Sequence, residues 1–301
     1  GAGAGLKGNR SGTFWPFWEL MKTLAAEARA PKIIVLENVC GTLTSHGGKD
    51  FSAICSAFVE AGFLCGAIII DAALFLPQSR PRLFIIAVKG SLSLPPSIHD
   101  EQSPIWHGRM IGRAFKRLPA AVQASWIWWK MPEPGRRTVG LADLIEDDPT
   151  SVEWHTATET ARLLSMMSDI NRAKVELAKR SGRRLVGTVY KRTRRNEAGI
   201  KVQRAEVRFD NIAGCLRTPA GGSSRQLIIL VDGKIVRSRL VSSRETARLM
   251  GLPDEYELPE NYNEAYHLTG DGVVVPAVRH LAAHILEPIL TAESATGQAA
   301  A

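Results

Sequence analysis

The chain has 301 residues, 45% of them apolar, and a formal net charge of +8. That length allows a sizeable core and two domains. No run of about 18 apolar residues is present, so no membrane-spanning helix and no membrane partner are expected. The opening Gly-Ala-Gly-Ala-Gly-Leu-Lys lacks a signal-peptide pattern. The four cysteines, Cys40, Cys55, Cys65 and Cys215, lack metal-ligand spacing, which predicts free thiols and no metal site.

In chain order, residues 13–30 are predicted to form a helix. Phe14, Phe17, Trp18, Met21 and Ala25 recur on one face at the helical period, and Pro16 falls in the first turn, where it is tolerated. Residues 33–36 (IIVL) have the pattern of a buried parallel strand. Glu37 and Asn38 follow at its carboxyl end, where open α/β sheets hold their ligands. Residues 41–49 read as a loop, 51–61 as a helix closed by Gly62, and 67–70 and 83–88 as strands. This alternation predicts half of a doubly wound α/β sheet. Gln78, Arg80 and Arg82 alternate, so all three can project from one face as the chain enters its strand. An amide, two guanidinium groups and the Glu37 carboxyl group are thus expected on one rim.

From Pro95 to about residue 210 the pattern is irregular and holds five of the seven tryptophans, Trp106, Trp126, Trp128, Trp129 and Trp154, which read as core. Residues 158–179 look helical. Residues 187–194 and 200–209 flank Asn196-Glu197-Ala198-Gly199, a hairpin turn signal. Residues 172–208 contain thirteen Lys/Arg and three acids, a local charge of +10 that leaves −2 for the rest of the chain. A solvated helix and hairpin could carry such charge, but block asymmetry of this kind is the footprint of a polyanion partner. A two-stranded ribbon fits a DNA major groove, and these arms carry Lys191, Arg192, Arg194, Arg195 and Arg204. Ser242 to Glu245 form a capping box, with Gly251 and Pro253 ending its helix. Residues 276–286 are the last predicted helix, and 291–301 read as a small polar tail.

Five segments, in order, resemble motifs of the DNA cytosine-5 methyltransferases. Residues 5–14 (GLKGNRSGTF) are similar to the end of the mobile loop that follows the family's Pro-Cys nucleophile. Glu37-Asn38-Val39 matches its ENV motif, and residues 78–82 (QSRPR) match its QxRxR motif. Residues 239–253 (RLVSSRETARLMGLP) resemble its late RxLTxRExARLxGFP helix, and 270–276 (GDGVVVP) its last motif, usually GNxV. A lone ENV is weak; five ordered motifs are not.

The resemblance implies a Rossmann-like, S-adenosylmethionine-dependent methyltransferase fold with a smaller, mixed target-recognition domain. Residues 1–90 would then be the C-terminal half of the catalytic domain and 91–258 the recognition domain. Residues 259–290 would be a return helix, and 291–301 a tail. It further implies methyl transfer from S-adenosylmethionine to carbon 5 of a cytosine flipped out of a specific duplex DNA site. In that reaction a thiolate adds at carbon 6 and turns the ring into an enamine that attacks the methyl group. Protonation at N3 assists, which calls for an acid in a desolvated pocket. By resemblance Glu37 takes this role, at N3 and the exocyclic amine.

Arg82 is implied at the base O2, and Arg80 at the flipped nucleotide and its phosphate. Gln78 would tie the strand entry to the DNA, Asn38 would brace the nucleophile loop, and Arg10 would close on DNA. Asp271, Gly272 and Val273 would touch the cofactor. Arg225, at the end of Gly-Gly-Ser-Ser, reads as a phosphate contact, although a plain hairpin loop explains it equally well. Two residues depart from the family pattern: Leu76 stands where a Gly is usual, and Asp271 replaces Asn, so it cannot donate a hydrogen bond when ionised. The family's Gly-rich cofactor loop, its two acidic cofactor ligands and its Pro-Cys dipeptide are absent from these residues. The chain is therefore expected to be the C-terminal part of such an enzyme, inactive alone. Its expected partners are double-stranded DNA and an upstream segment or second subunit carrying those motifs, in a prokaryotic cytoplasm. Cys40 is not expected to replace the nucleophile. Two alternatives remain: a DNA-recognition subunit without chemistry, and a tRNA cytosine-5 methyltransferase.

Overall fold

The computed structural model describes residue 6 and residues 12–195, 198–217 and 225–299. In chain order its main elements are α1 (Phe14–Ala26), β1 (Ile33–Val39), α2 (Lys49–Glu60), β2 (Phe63–Asp71), β3 (Pro81–Lys89), α3 (Gly108–Phe115), α4 (Ala120–Ala124), α5 (Ala157–Ser165) and α6 (Asp169–Arg180). They continue with β4 (Arg184–Arg195), β5 (Lys201–Arg208), β6 (Leu227–Asp232), β7 (Ile235–Leu240), α7 (Ser243–Leu249), α8 (Tyr262–Asp271), α9 (Val275–Leu281) and α10 (Glu287–Ala299). The chain forms two compact units, residues 1–71, 81–134 and 279–301, and residues 72–80 and 135–278.

The first unit is built on a three-stranded sheet of order β1-β3-β2, with β3 antiparallel to both neighbours. β1 and β2 therefore run in the same direction but are not bonded to each other. Between two partners, Leu83 to Val88 of β3 are all buried. β1 differs from the buried parallel strand predicted for 33–36, since its pairing with β3 is antiparallel and its burial is partial. Among the described residues it bonds only to β3, so Ile34 alone is buried while Ile33, Val35 and Leu36 are half-exposed. Phe14 and Trp18 of α1 pack on Phe58 and Phe63, with the Trp18 and Phe58 rings 5.2 Å apart and edge to face. α1 stops at Ala26, short of residue 30, because Ala28 turns to a φ of 57°.

The outer edge of β2 is covered by residues 103–129. Cys65 N–H donates to the Ser125 carbonyl (3.1 Å), and Ile127 N–H donates to the Cys65 carbonyl (2.8 Å). Gly66 permits this approach, since a Cβ there would fall 2.0 Å from the Ile127 oxygen. Trp106 and Trp129 are buried core residues of the same stretch. Residues 91–134, which the sequence groups with the recognition interval, thus pack with the first unit. Residues 259–278 pack with the second. Helix also continues to Ala299 where a tail was expected, held by buried Ile289 and an ion pair of Glu293 with Lys32. The stretch Tyr262–Ala295 is long and apolar enough by composition to cross a membrane. Its Ala265, Tyr266, Leu281, Ile285 and Ile289 are buried in protein, while 28% of its most apolar window is buried as a whole.

The second unit carries a four-stranded antiparallel sheet of order β5-β4-β6-β7. Val189, Ala205, Val207, Leu227, Ile229 and Val231 form its inner face, packed under Leu163, Met167, Val175 and Ala178 of the helical layer. The single helix predicted for 158–179 is two helices, α5 ending at Ser165 and α6 starting after Ser168. β6 pairs only with residues 184–189 of β4, whereas β5 pairs with 188–195. Residues 190–195 and 201–206 therefore project as a two-stranded ribbon; positions 196 and 197 of its turn lie outside the described residues. The capping box at Ser242 and Glu245 is formed in both directions. Glu245 also binds Arg239 through two bonds of 2.6 and 2.7 Å, with both side chains fully buried.

Candidate functional site

The strand ends of the first unit carry a polar rim. Val39 pairs with Arg82 and Glu37 with Phe84, so Glu37 and Arg82 are diagonal neighbours on one face of an antiparallel pair. Arg82 Nε donates to Glu37 Oε1 at 2.7 Å, and Arg82 Nη1 donates to the Pro81 carbonyl at 3.0 Å. The Glu37 side chain keeps 31% of its surface in solvent and that of Arg82 keeps 17%, so the desolvated pocket expected around Glu37 is open here. Asn38 lies on the opposite face, and its Oδ1 accepts the Val39 N–H at 2.8 Å. A cleft of about 420 Å³ runs beside β1, lined by Phe14, Phe17, Leu36, Glu37, Asn38 and Ile85 among others.

Cys40 follows directly. Burial pushes its thiol up, Arg82 pulls it down, and the Asp71 and Glu37 carboxylates push it further up. A thiol raised on balance is a poor thiolate source. The rim offers an acceptor and a donor side by side. That pair of polarities can meet a hydrogen-bond donor and an acceptor placed side by side on one ligand edge.

The alternation of Gln78, Arg80 and Arg82 does not place the three on one rim. β3 begins only at Pro81, because the preceding loop is drawn to residue 213: Ala213 N–H donates to the Pro77 carbonyl (2.7 Å) and Ser79 N–H to the Ala213 carbonyl (2.8 Å). Gln78 is fully buried in the second unit and was expected to touch DNA. Its Nε2 donates to the Leu249 carbonyl (2.6 Å), and its Oε1 accepts the Leu216 N–H (3.2 Å). Arg80 is 3% exposed. It donates to the carbonyls of Leu216 (3.0 Å), Gly270 (2.9 Å) and Gly272 (2.8 Å), and Nη1 lies 3.3 Å from Cys215 Sγ. Gly270 and Gly272 end α8, so this cation sits where a helix leaves its carbonyls unsatisfied. Where a grip on a nucleotide phosphate was expected, Arg80 in this structure staples two backbone segments, residues 215–216 and 270–272.

Asp271, Gly272 and Val273 form the turn that Arg80 holds. Asp271 is exposed and Val273 is 36% exposed. Arg10 lies outside the described residues, as do residues 221–224. Arg225 is described: it bonds the Asn263 side chain and lies over the Tyr262 ring at 5.4 Å.

The ribbon sorts its cations by strand alternation. Tyr190, Arg192, Arg194, Arg204 and Glu206 share one face, whereas Lys191 and Arg195 share the other with Ala205. Tyr190 anchors the first face. Its ring lies so close to Gly214 that a Cβ there would fall 2.3 Å from Tyr190 Cε2, and its hydroxyl donates to the Cys215 carbonyl at 2.5 Å. Arg192 extends from it, with its guanidinium 5.7 Å from the ring centre. Sequence reasoning passed over Glu206. The strand register, which puts it opposite Tyr190, is the signal that finds it.

The family model for C-5 cytosine-specific DNA methylases matches residues 1–287. The type II methyltransferase M.HpaII of Haemophilus parainfluenzae is 22% identical over 305 residues, covering 96% of this chain and 68% of that protein. M.NgoFVII of Neisseria gonorrhoeae is 23% identical over 296 residues, covering 94% and 64%. The chain spans 48% of the orphan methyltransferase M.SPBetaI of Bacillus phage SPbeta, so it covers about half to two thirds of these curated relatives. Among solved structures, the Entamoeba histolytica methyltransferase EhMeth has a TM-score of 0.52 at 11% identity, with 90% of this chain and 68% of that one covered. A Spodoptera frugiperda DNMT2 variant has 0.51 at 16%, with 91% and 71% covered. At these identities the likeness is one of fold.

Proposed function

Because this chain belongs to the C-5 cytosine-specific DNA methylase family, we propose that it forms the base-binding and DNA-recognition part of a DNA cytosine-5 methyltransferase. The observation that carries this reading is the Glu37–Arg82 pair at adjacent strand ends, 2.7 Å apart. A flipped cytosine presents an amino group, N3 and O2 along one edge. Glu37 accepts from the amine and stabilises a proton at N3 as thiolate addition at carbon 6 develops charge there. Arg82 donates to O2. The preformed ion pair holds both groups in register before the base arrives, so little reorganisation is needed when charge develops.

No cysteine in the chain follows a proline. The reading therefore takes the attacking thiolate from outside these 301 residues and assigns no covalent role to Cys40. The family implies S-adenosylmethionine as the donor of the methyl group. The residues here fit only a fringe of a site for it: one exposed carboxylate, Asp271, and the partly exposed Val273 on the turn Arg80 holds.

The basic ribbon of β4 and β5 supplies the grip on duplex DNA. Arginine forks match phosphates and guanine edges, and a two-stranded ribbon fits the major groove. The test is transfer of labelled methyl groups by the natural protein containing these residues. Duplex DNA should be labelled, and its products should contain 5-methylcytosine. Labelling of tRNA in preference to duplex DNA, or of a base other than cytosine, would overturn the reading.

A further inference from the structure

Glu206 is the single acid on the two ribbon strands, against eight Lys/Arg. It does little for the overall charge, but its position is specific. Oε1 takes two bonds from Arg194, from Nε at 2.8 Å and from Nη2 at 2.5 Å, while Oε2 lies 3.1 Å from Arg192 Nε. Both oxygens of one carboxylate are thus shared by two guanidinium forks on the exposed face. The same carboxylate lines an open cleft of about 500 Å³ together with Arg172, Arg194, Arg195 and Arg204.

We propose that Glu206 is a clamp that parks Arg192 and Arg194 in the DNA-free protein and selects against sequence-independent DNA. The proposal rests on the reading of the ribbon as the duplex-binding element. To contact a phosphate or a base edge, each arginine must leave Glu206 or share it. An arginine that leaves strands a carboxylate beside the polyanion. A lone phosphate contact merely exchanges one anion for another and gains little. A bidentate bond to a guanine edge adds discrimination against other bases and can offset the loss. Glu206 therefore weakens all binding and weakens non-specific binding most. It also fixes the two forks in the plane of the ribbon before DNA arrives.

The magnitude follows from charge. Glu206→Gln raises the charge of the ribbon by one, so the slope of log affinity against log salt should steepen by about 0.9. With affinity at about 1 M salt unchanged, that slope gives about five-fold tighter binding to random-sequence duplex near 0.15 M salt. The experiment is fluorescence anisotropy of the full chain on a random-sequence duplex over a salt series, for the parent, Glu206→Gln and the double variant Arg192→Ala/Arg194→Ala. A thermal melt verifies each fold. The expected result is tighter binding and a steeper slope for Glu206→Gln, with weaker binding and a shallower slope for the double variant. If the double variant weakens binding and Glu206→Gln leaves it unchanged or weaker, the clamp is wrong and the ribbon reading stands. If the double variant binds like the parent, the ribbon reading falls and the clamp with it.

Discussion

Replacing Arg80 by Met separates two accounts of the QSRPR segment. In the structure its guanidinium, 3% exposed, donates to three carbonyls and touches a thiol, all inside the second unit. A hydrogen bond from a charged donor contributes about 1.5–3 kcal/mol, so three give a gross figure of roughly 4.5–9 kcal/mol. Dehydrating the buried guanidinium offsets this by several kcal/mol, which leaves a net loss of about 3–5 kcal/mol. For a unit of this size each kcal/mol moves the melting temperature by about 2–4 °C, so Arg80→Met should lower it by about 6–20 °C. Arg80→Lys can satisfy some but not all of the carbonyls and should fall between. Urea denaturation should show a lower midpoint at unchanged slope, since the same surface is exposed on unfolding. If Arg80 instead served to grip a nucleotide phosphate, the Met variant would melt with the parent and lose duplex affinity. That result would refute the staple.

Two further outcomes test the framework. Glu245→Gln leaves the fully buried Arg239 facing a neutral partner and should destabilise the second unit by about 3–5 kcal/mol; the double variant Arg239→Met/Glu245→Gln should lose less than the sum of the single variants in urea denaturation. His107 is buried, its Nδ1 accepts the Ser103 N–H at 2.7 Å, and burial holds its pKa down to about 4. The unfolded ring titrates near 6.5, so the folded state binds fewer protons below that pH. Stability is complete above about pH 6.5 and should fall by about 2–3 kcal/mol by about pH 4.5. His107→Asn should lack this part of the pH dependence, read as denaturation midpoints at the two ends of the range.

The parts of the site that were legible are those written locally. Glu37 and Asn38 follow an apolar run, so a strand end was readable. Ser242 and Glu245 are three residues apart, so the cap was readable. The ribbon announced itself by a turn signal inside a block of cations. The misplaced parts depend on partners distant in sequence. Alternation put Gln78, Arg80 and Arg82 on one face only if the strand began before Gln78. The bonds of residues 77 and 79 to Ala213 delay it to Pro81 and send Gln78 and Arg80 into a separate core. β1 looked buried because its first four residues are apolar, but burial needs neighbours on both edges and the described residues provide one. Glu206 was a single acid among cations until the register placed it opposite Tyr190, within reach of two arginines.

In the proposed mechanism Glu37, paired with Arg82, meets the cytosine edge and acts on charge that develops during the reaction. An interaction made mainly in the transition state affects rate more than affinity. The most direct measurement is therefore the single-turnover rate of methyl transfer beside the duplex dissociation constant, for Glu37→Gln in the natural protein containing these residues. A positioned acid–base group contributes about 10²–10⁴-fold, so the rate should fall by about that factor while duplex affinity stays within a few-fold of the parent. A Glu37→Gln protein that turns over at the parental rate, or that loses DNA affinity in proportion to its rate, would contradict the account.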